Sequence, residues 1–207
     1  MEAINSSERS IIKTNQIHSS IVFYCENNNL KTKDLLIKAD GVISKDSNLI
    51  IRSIHADCLP IYFIDSKNDV FGLIHSGWKG TLKKIARKTL NDMIKLHKLN
   101  PYNIKAVIGP GIDYKNYQVG NEIFLKFKSK WNLDLDFFKP DKENNKYLLD
   151  LKEANKKLLI NSGMLPENIF VSKLSTYESP KLFHSYRRDG DSAGRIAAII
   201  YKVRSNP

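Results

Sequence analysis

Short apolar runs, separated by polar punctuation, dominate the first half of the chain. Residues 20–25 (SIVFYC) have the length and β-branched, aromatic content of a strand. After the polar stretch 27–34 and residues 35–48, three runs follow closely, LIIRSI, LPIYFI and VFGLIH. Each is strand-sized, and residues 65–69 (DSKND) read as a turn. Over residues 81–97 the period changes. Leu82, Ile85, Ala86, Leu90, Met93, Ile94 and His97 fall on one face at helical spacing, with lysines and Arg87 opposite. The spacing predicts one amphipathic helix over 81–97, ended before Asn100-Pro101.

The second half repeats this vocabulary. Residues 104–108 predict a strand entering the turn Gly109-Pro110-Gly111. Residues 121–130 and 151–161 predict helices, the latter capped by Gly163. The stretch 132–145 is a charged, aromatic connection, and 169–173 a strand. Residues 195–203 form a last apolar run, helix or strand by pattern. Strands cluster, with helices between them and no strict alternation. That predicts an α+β domain with mixed sheets rather than a doubly wound parallel fold.

Length and composition narrow the reading. The 207 residues, 42% hydrophobic, suffice for one core. We expect residues 1–13 to be a polar, partly ordered N-terminal segment and 14–207 a single domain. Lys and Arg number 33 against 22 Asp and Glu, a net charge of +11. The lysines are spread over every segment and no nucleic-acid-binding motif accompanies them, so specific nucleic-acid binding is not expected. No run approaches a membrane helix and no secretory signal opens the chain, so a cytoplasmic location is expected. Two cysteines exclude a disulfide-dense scaffold, and Cys25 reads as a buried apolar residue.

Three clusters put chemically capable side chains at the ends of β elements: Gln16-Ile17-His18-Ser19, His55-Ala56-Asp57-Cys58-Leu59-Pro60, and His75-Ser76-Gly77-Trp78-Lys79-Gly80-Thr81. His18, Cys58 and His75 could form a His₂Cys zinc set that leaves one position open. Alternatively Cys58 is a nucleophile, with His55 or His75 as base and Asp57 or Asp65 as orienting acid. Residues 76–81 form a strand-to-helix junction, either anion-binding or an ordinary turn with Thr81 as helix cap. Arg187, Arg188 and Arg195 stand in a basic, glycine-containing loop, suited to phosphate or paired with Asp189 and Asp191. His97 reads as structural. His184 either faces the same cleft or packs on the surface.

At these residues the chain resembles the laccase-domain, or YfiH-like, family. The resemblance rests on Gln16-Ile17-His18-Ser19, Ala39-Asp40-Gly41, Ala56-Asp57-Cys58-Leu59-Pro60 and His75-Ser76-Gly77-Trp78-Lys79-Gly80-Thr81. It continues through Ile108-Gly109-Pro110-Gly111-Ile112, Tyr117-Gln118-Val119-Gly120 and Ser185-Tyr186-Arg187-Arg188-Asp189-Gly190. It implies a single-domain α-β-β-α sandwich with mixed β-sheets and a metal held by His18, Cys58 and His75, which would also be the catalytic set. It implies phosphorolysis of adenosine, inosine and S-methyl-5'-thioadenosine, with adenosine deamination beside it. Its partners would be a purine nucleoside and inorganic phosphate, and the protein a monomer or homodimer. Ser76, Lys79, Arg187 and Arg188 are the candidates for substrate and phosphate. The family's laccase label implies copper and phenol oxidation as the alternative. A His₂Cys set suits zinc, whereas blue-copper sites add an axial Met, and none of the three Met adjoins these motifs. A thiol hydrolase using Cys58, a non-catalytic metal-binding scaffold and a nucleic-acid-binding module are the other classes. The zinc deaminase HxE…PCxxC signature is absent, so no Glu takes its general-acid role. The chain departs from the family pattern at Gly111, where Cys is usual, at Gln118, where Glu is usual, and at His55, where a threonine-like residue is usual. It also starts after the longer N-terminal part of family members.

Overall fold

The computed structural model describes residues 9–25, 34–132, 134–142 and 145–203. Two packed sheets form its centre. The larger has six strands, in the order β12-β8-β6-β7-β4-β2. These are β2 (Val22–Cys25), β4 (Gly41–Ser44), β6 (Leu59–Asp65), β7 (Val70–Ser76), β8 (Lys105–Ile108) and β12 (Ile169–Val171). The second sheet runs β13-β5-β1-β3, built from β1 (Ser10–Thr14), β3 (Asp34–Ile37), β5 (Leu49–His55) and β13 (Ile196–Tyr201). Both mix parallel and antiparallel pairs. β1 runs parallel to β3 and β5, while β13 is antiparallel to β5. A small antiparallel sheet, β10 (Phe138–Pro140), β11 (Lys146–Leu149) and β9 (Gln118–Gly120), sits beside them.

Burial follows the layers. All seven residues of β7 are buried, because one face meets helices and the other meets the second sheet. Ile12, Leu49, Ile51, Val42, Phe71, Leu73 and Ala198 fill the space between sheets. The opposite face of the six-stranded sheet packs on α2 (Ile85–His97) and α4 (Leu151–Ile160) through Ile61, Phe63, Ile85, Leu90, Met93, Leu158 and Leu159. Two shorter elements, α1 (Trp78–Leu82) and α3 (Asn121–Lys130), extend this layer. The other face of the four-stranded sheet is the more solvated. Its row of register partners Leu36, Lys13, Arg52 and Ile199 is half-buried or exposed. The result is the expected mixed-sheet α+β sandwich, with the described helices gathered on the six-stranded sheet.

Several local expectations change. Residues 1–8 lie outside the described residues, but Ser10–Thr14 is the strand β1, with Ile12 fully buried between β5 and β3. The polar segment therefore ends before residue 10. The helix expected over 81–97 is two helices. Lys84 adopts a left-handed conformation (φ 59°), so α1 ends at Leu82 and α2 begins at Ile85. Thr81 lies inside α1 and does not cap a helix. Its hydroxyl is buried against Ser76 and Asn155 instead. The last apolar run is a strand, and the 132–145 connection contributes β10 with buried Phe137 and Phe138. Helices 121–130 and 151–160 form as the period requires, and Gly163 takes the positive φ (97°) expected after a helix end. Among the described residues, no helix is long and apolar enough to cross a membrane.

A candidate metal centre beside an arginine-rimmed cavity

Strand register brings the three clusters to one place. β6 pairs with β7 so that Leu59 faces Ser76 and Pro60 faces His75. Cys58, one residue before β6, therefore meets Gly77, one residue after β7. A Cβ on Gly77 would lie 2.5 Å from the Cys58 Sγ and 3.6 Å from the His18 Cδ2, so the approach requires glycine. β4 pairs with the other edge of β7, with Gly41 facing Ile74. That puts Asp40 beside His75, whose backbone N–H donates to the Asp40 carbonyl at 2.7 Å. His18 comes from the connection between β1 and β2.

One ligand atom each from His18, Cys58 and His75 lies within 4.8 Å of the others. This is the only group of three such side chains among the described residues. The His75 and His18 rings meet edge to face, with centroids 5.0 Å apart. His75 is buried, Cys58 half-buried and His18 exposed, so the cluster opens to solvent on the His18 side.

Asp40 organises the cluster. Its carboxylate is fully buried and accepts five hydrogen bonds. These come from the backbone N–H of Ile17 (3.3 Å), His18 (3.0 Å) and Ser19 (2.7 Å), from the Ser19 hydroxyl (2.6 Å) and from His75 Nδ1 (3.0 Å). Burial alone would raise its pKa, but the hydrogen bonds from His75 and Ser19 outweigh burial and hold it at about 2. A carboxylate on Nδ1 fixes the imidazole tautomer and leaves Nε2 for an ion, an arrangement typical of metal-ligating histidines. It also holds the His18 turn, where His18 itself sits at a left-handed φ of 54°.

The charges within the cluster reinforce one another. Burial disfavours charge on His75, yet Asp40 and Cys58 raise its pKa to about 9 in the metal-free chain. Burial likewise disfavours the Cys58 thiolate, but His18 and His75 bring it down to about 7. A soft thiolate and two imidazoles, one oriented by a carboxylate, are a donor set that fits zinc.

The extra imidazole of His55 does not join this set. It is buried, with Nε2 2.7 Å from the Ser53 hydroxyl and Nδ1 3.1 Å from the Cys58 carbonyl oxygen. Burial, together with the His75 charge, lowers its pKa to about 3. A neutral ring donating from Nδ1 to the Cys58 carbonyl satisfies both contacts. The nucleophilic-thiol arrangement gains little from the acids proposed for it. Asp65 lies at the far end of β6, accepting from Lys67, Asn68 and the Asn68 side chain. Asp57 accepts from the Thr176 hydroxyl (2.7 Å) and the Arg187 backbone N–H (2.6 Å).

A cavity of about 490 Å³ opens over the cluster. Gln16, His18, Cys58 and His75 line it together with Ile54, Ala56, Asp57, Trp78, Tyr117, Tyr186, Arg187 and Arg195. The other residues anticipated for substrate separate into distinct fates. Arg187 lines the cavity, its guanidinium 5.1 Å from the Tyr117 ring centre and donating to the Gln118 carbonyl at 3.0 Å. Arg188 turns inward, held by Asp189 and by the carbonyls of Thr176, Tyr177 and Phe183. It is an anchor for the loop, not a free cation. Ser76 is fully buried, its hydroxyl shared with Thr81 and Asn155 below the cavity wall. Lys79 is exposed outside the lining, with its ammonium 5.6 Å from the Trp78 ring centre. His97 packs edge-on to Tyr24, a structural placement, and the exposed His184 is absent from the lining.

Asp40, Tyr117 and Trp78 were not assigned roles from sequence, and Asp57 was considered only as an acid orienting the thiol's base, whereas it pins Thr176 and the Arg187 backbone. Asp40 was visible only within the motif Ala39-Asp40-Gly41, and Asp57 only as the neighbour of Cys58. Their side-chain bonding depends on residues 21 to 130 positions away, which no local pattern reports.

The fold and site define a mixed-sheet α+β domain built around a His–Cys–His cluster with metal-ligand chemistry. The chain belongs to the multi-copper polyphenol oxidoreductase laccase family, whose model matches residues 1–202. It is 35% identical over 161 residues to a protein named purine nucleoside phosphorylase YlmD from Bacillus subtilis (strain 168). It is 34% identical over 170 residues to purine nucleoside phosphorylase SERP0752 from Staphylococcus epidermidis. These matches cover 78% and 82% of the chain, but the chain spans only 58% and 62% of those relatives' length. Among solved structures, YlmD from Geobacillus stearothermophilus superposes with a TM-score of 0.87 at 27% identity, over 95% of this chain and 74% of that one. The Bacillus licheniformis hypothetical protein YfiH gives a TM-score of 0.84 at 32% identity, over 93% and 74%.

Proposed function

We propose that this chain is a zinc-dependent purine nucleoside phosphorylase. It would act on adenosine, inosine and S-methyl-5'-thioadenosine, release the free base and leave the sugar as its 1-phosphate. The observation that carries this reading is the single cavity holding both the His18–Cys58–His75 donor set and an exposed arginine, Arg187. The names of the curated relatives support it.

His18, Cys58 and His75 would hold the ion, with Asp40 orienting His75. When bound there, zinc supplies a Lewis acid that polarises a substrate oxygen. The remaining work falls to side chains of the cavity. Trp78, Tyr117 and Tyr186 offer aromatic surface against which a purine ring stacks. Burial pushes the Tyr117 hydroxyl pKa up, with the Cys58 charge adding to the effect and Arg187 opposing it. The hydroxyl therefore keeps its proton at neutral pH and can donate a hydrogen bond to the substrate. The Arg187 guanidinium is suited to hold the phosphate that attacks the anomeric carbon as the glycosidic bond breaks.

The copper reading asks more of the donors. A multi-copper oxidase passes electrons between several copper sites, and the described residues supply one three-donor cluster. No methionine lines the cavity.

Chromatography of the products tests the proposal. Adenosine incubated with the zinc-loaded chain is expected to give adenine only when phosphate is present. His75→Ala is expected to lower this rate at least about 100-fold, since it removes a metal ligand together with one of the five hydrogen bonds to Asp40. Inosine formed from adenosine without phosphate dependence would make the site a deaminase. No product from a folded, metal-loaded sample would overturn both.

A further inference from the structure

Two guanidinium groups on the cavity wall have no carboxylate partner among the described residues. Arg188 shows how this chain satisfies a structural arginine: Nε and one terminal nitrogen meet Asp189 at 2.8 Å, and backbone carbonyls take the rest. Arg187 and Arg195 differ. Arg187 spends one terminal nitrogen on the Gln118 carbonyl. Arg195 spends one on its neighbouring carbonyls, Ala193 (2.5 Å) and Gly194 (2.9 Å). Both side chains are exposed and line the same cavity, with the fork of Nε and the second terminal nitrogen unused. The nearby acids are already engaged. Asp57 holds Thr176 and the Arg187 backbone, Asp189 holds Arg188, and Asp191 accepts from the Tyr186 hydroxyl.

The loop places these two arginines on the wall of one cavity. Arg187 is the second residue of the helical turn α5 (Tyr186–Asp189), pinned by its N–H to Asp57. Arg195 comes immediately before β13. The ring of His184 presses on Gly194, where an added Cβ would sit 2.6 Å from the imidazole. The two ends of the 184–194 segment therefore touch, and Arg187 within it and Arg195 just after it line one cavity.

From this geometry we infer that Arg187 and Arg195 form a two-arginine cradle for a phosphate group, with Arg195 rather than Arg188 as the partner of Arg187. Unpaired, planar guanidinium forks match the oxygens of a phosphate bidentately, and a lysine does not reproduce that match. The identification of the group as the phosphate co-substrate rests on the function proposed above.

Calorimetric titration of the zinc-loaded full chain with inorganic phosphate, and separately with adenosine 5'-monophosphate, tests the cradle. Arg195→Gln is expected to weaken phosphate about 10- to 100-fold, the loss of a charge-assisted contact. In turnover it should raise KM for phosphate more than it lowers kcat. Arg195→Lys is expected to recover only part of the affinity. Arg188→Gln should lower the melting temperature yet bind phosphate with wild-type affinity once folded. Arg195→Gln that binds both ligands as wild type does, at an unchanged melting temperature, would overturn the cradle. If the monophosphate binds through Arg195 and inorganic phosphate does not, the cradle stands but serves a phosphate carried on the substrate. Phosphate bound through both arginines without sugar 1-phosphate formation would keep the cradle and overturn the phosphorylase reading. Phosphorolysis that is indifferent to Arg195→Gln would do the reverse.

Discussion

Asp40→Asn is expected to cost both the metal site and a substantial part of the fold's stability. The carboxylate accepts five hydrogen bonds in a fully buried position. An amide offers one oxygen and turns an NH₂ group toward donors. At least two donors then lose their acceptor, and hydrogen bonds to charged groups are worth about 1.5–3 kcal/mol each. Breaking a buried charged network typically costs about 3–5 kcal/mol, so a fall of roughly 10 °C in melting temperature is expected for a chain of this size. Zinc affinity should fall about 10- to 100-fold, because the His75 tautomer and the His18 turn lose the same restraint. Calorimetric melting of the metal-free protein and competition titration against a zinc chelator measure the two effects. A variant that melts within about 2 °C of wild type and binds zinc equally well would remove Asp40 from its organising role.

Gly77→Ala is the second large effect, and it separates packing from backbone strain. Gly77 has φ −86°, which any residue adopts, so alanine meets no conformational penalty. Its Cβ would instead stand 2.5 Å from the Cys58 sulfur. The pairing of Leu59 with Ser76 holds both strands in place, so the thiol has to leave the cluster or the strand ends have to part. Overpacking of this kind costs about 1–3 kcal/mol. Displacing the thiolate should weaken zinc by more than about 100-fold, beyond what loss of an outer hydrogen-bond partner usually costs. Cobalt-substituted protein gives a direct readout, since the thiolate-to-cobalt charge-transfer band should vanish in the variant. An intact band and wild-type zinc affinity would show that Gly77 is not required for the approach.

Much of this was legible in the sequence, and the misses have physical causes. The strands at 49–55, 59–65 and 70–76 announce themselves because buried β strands are dense in β-branched and aromatic residues. The helices at 121–130 and 151–160 announce themselves by period. Ser10–Thr14 carries only two apolar residues in five, too few to mark a strand whose pairing comes from residues 34–37 and 49–52. The break at Lys83–Lys84 leaves the apolar period intact while the backbone turns left-handed, so periodicity runs straight through it. At the site, His18, Cys58 and His75 were nameable because their residue types are rare and chemically distinctive. Arg187 and Arg188 are neighbours with the same side chain, and sequence could not show which faces the cavity. Only the placement of Asp189 and of three carbonyls decides that Arg188 is spent on structure.

The measurement that bears most directly on the account is a phosphorus-31 magnetic resonance spectrum of inosine and inorganic phosphate incubated with the zinc-loaded chain. The account predicts a new sugar 1-phosphate resonance growing in step with hypoxanthine, and no such resonance with Cys58→Ala. A folded, zinc-loaded chain that leaves the phosphate resonance unchanged, or a Cys58→Ala variant that still produces the sugar phosphate, would contradict it.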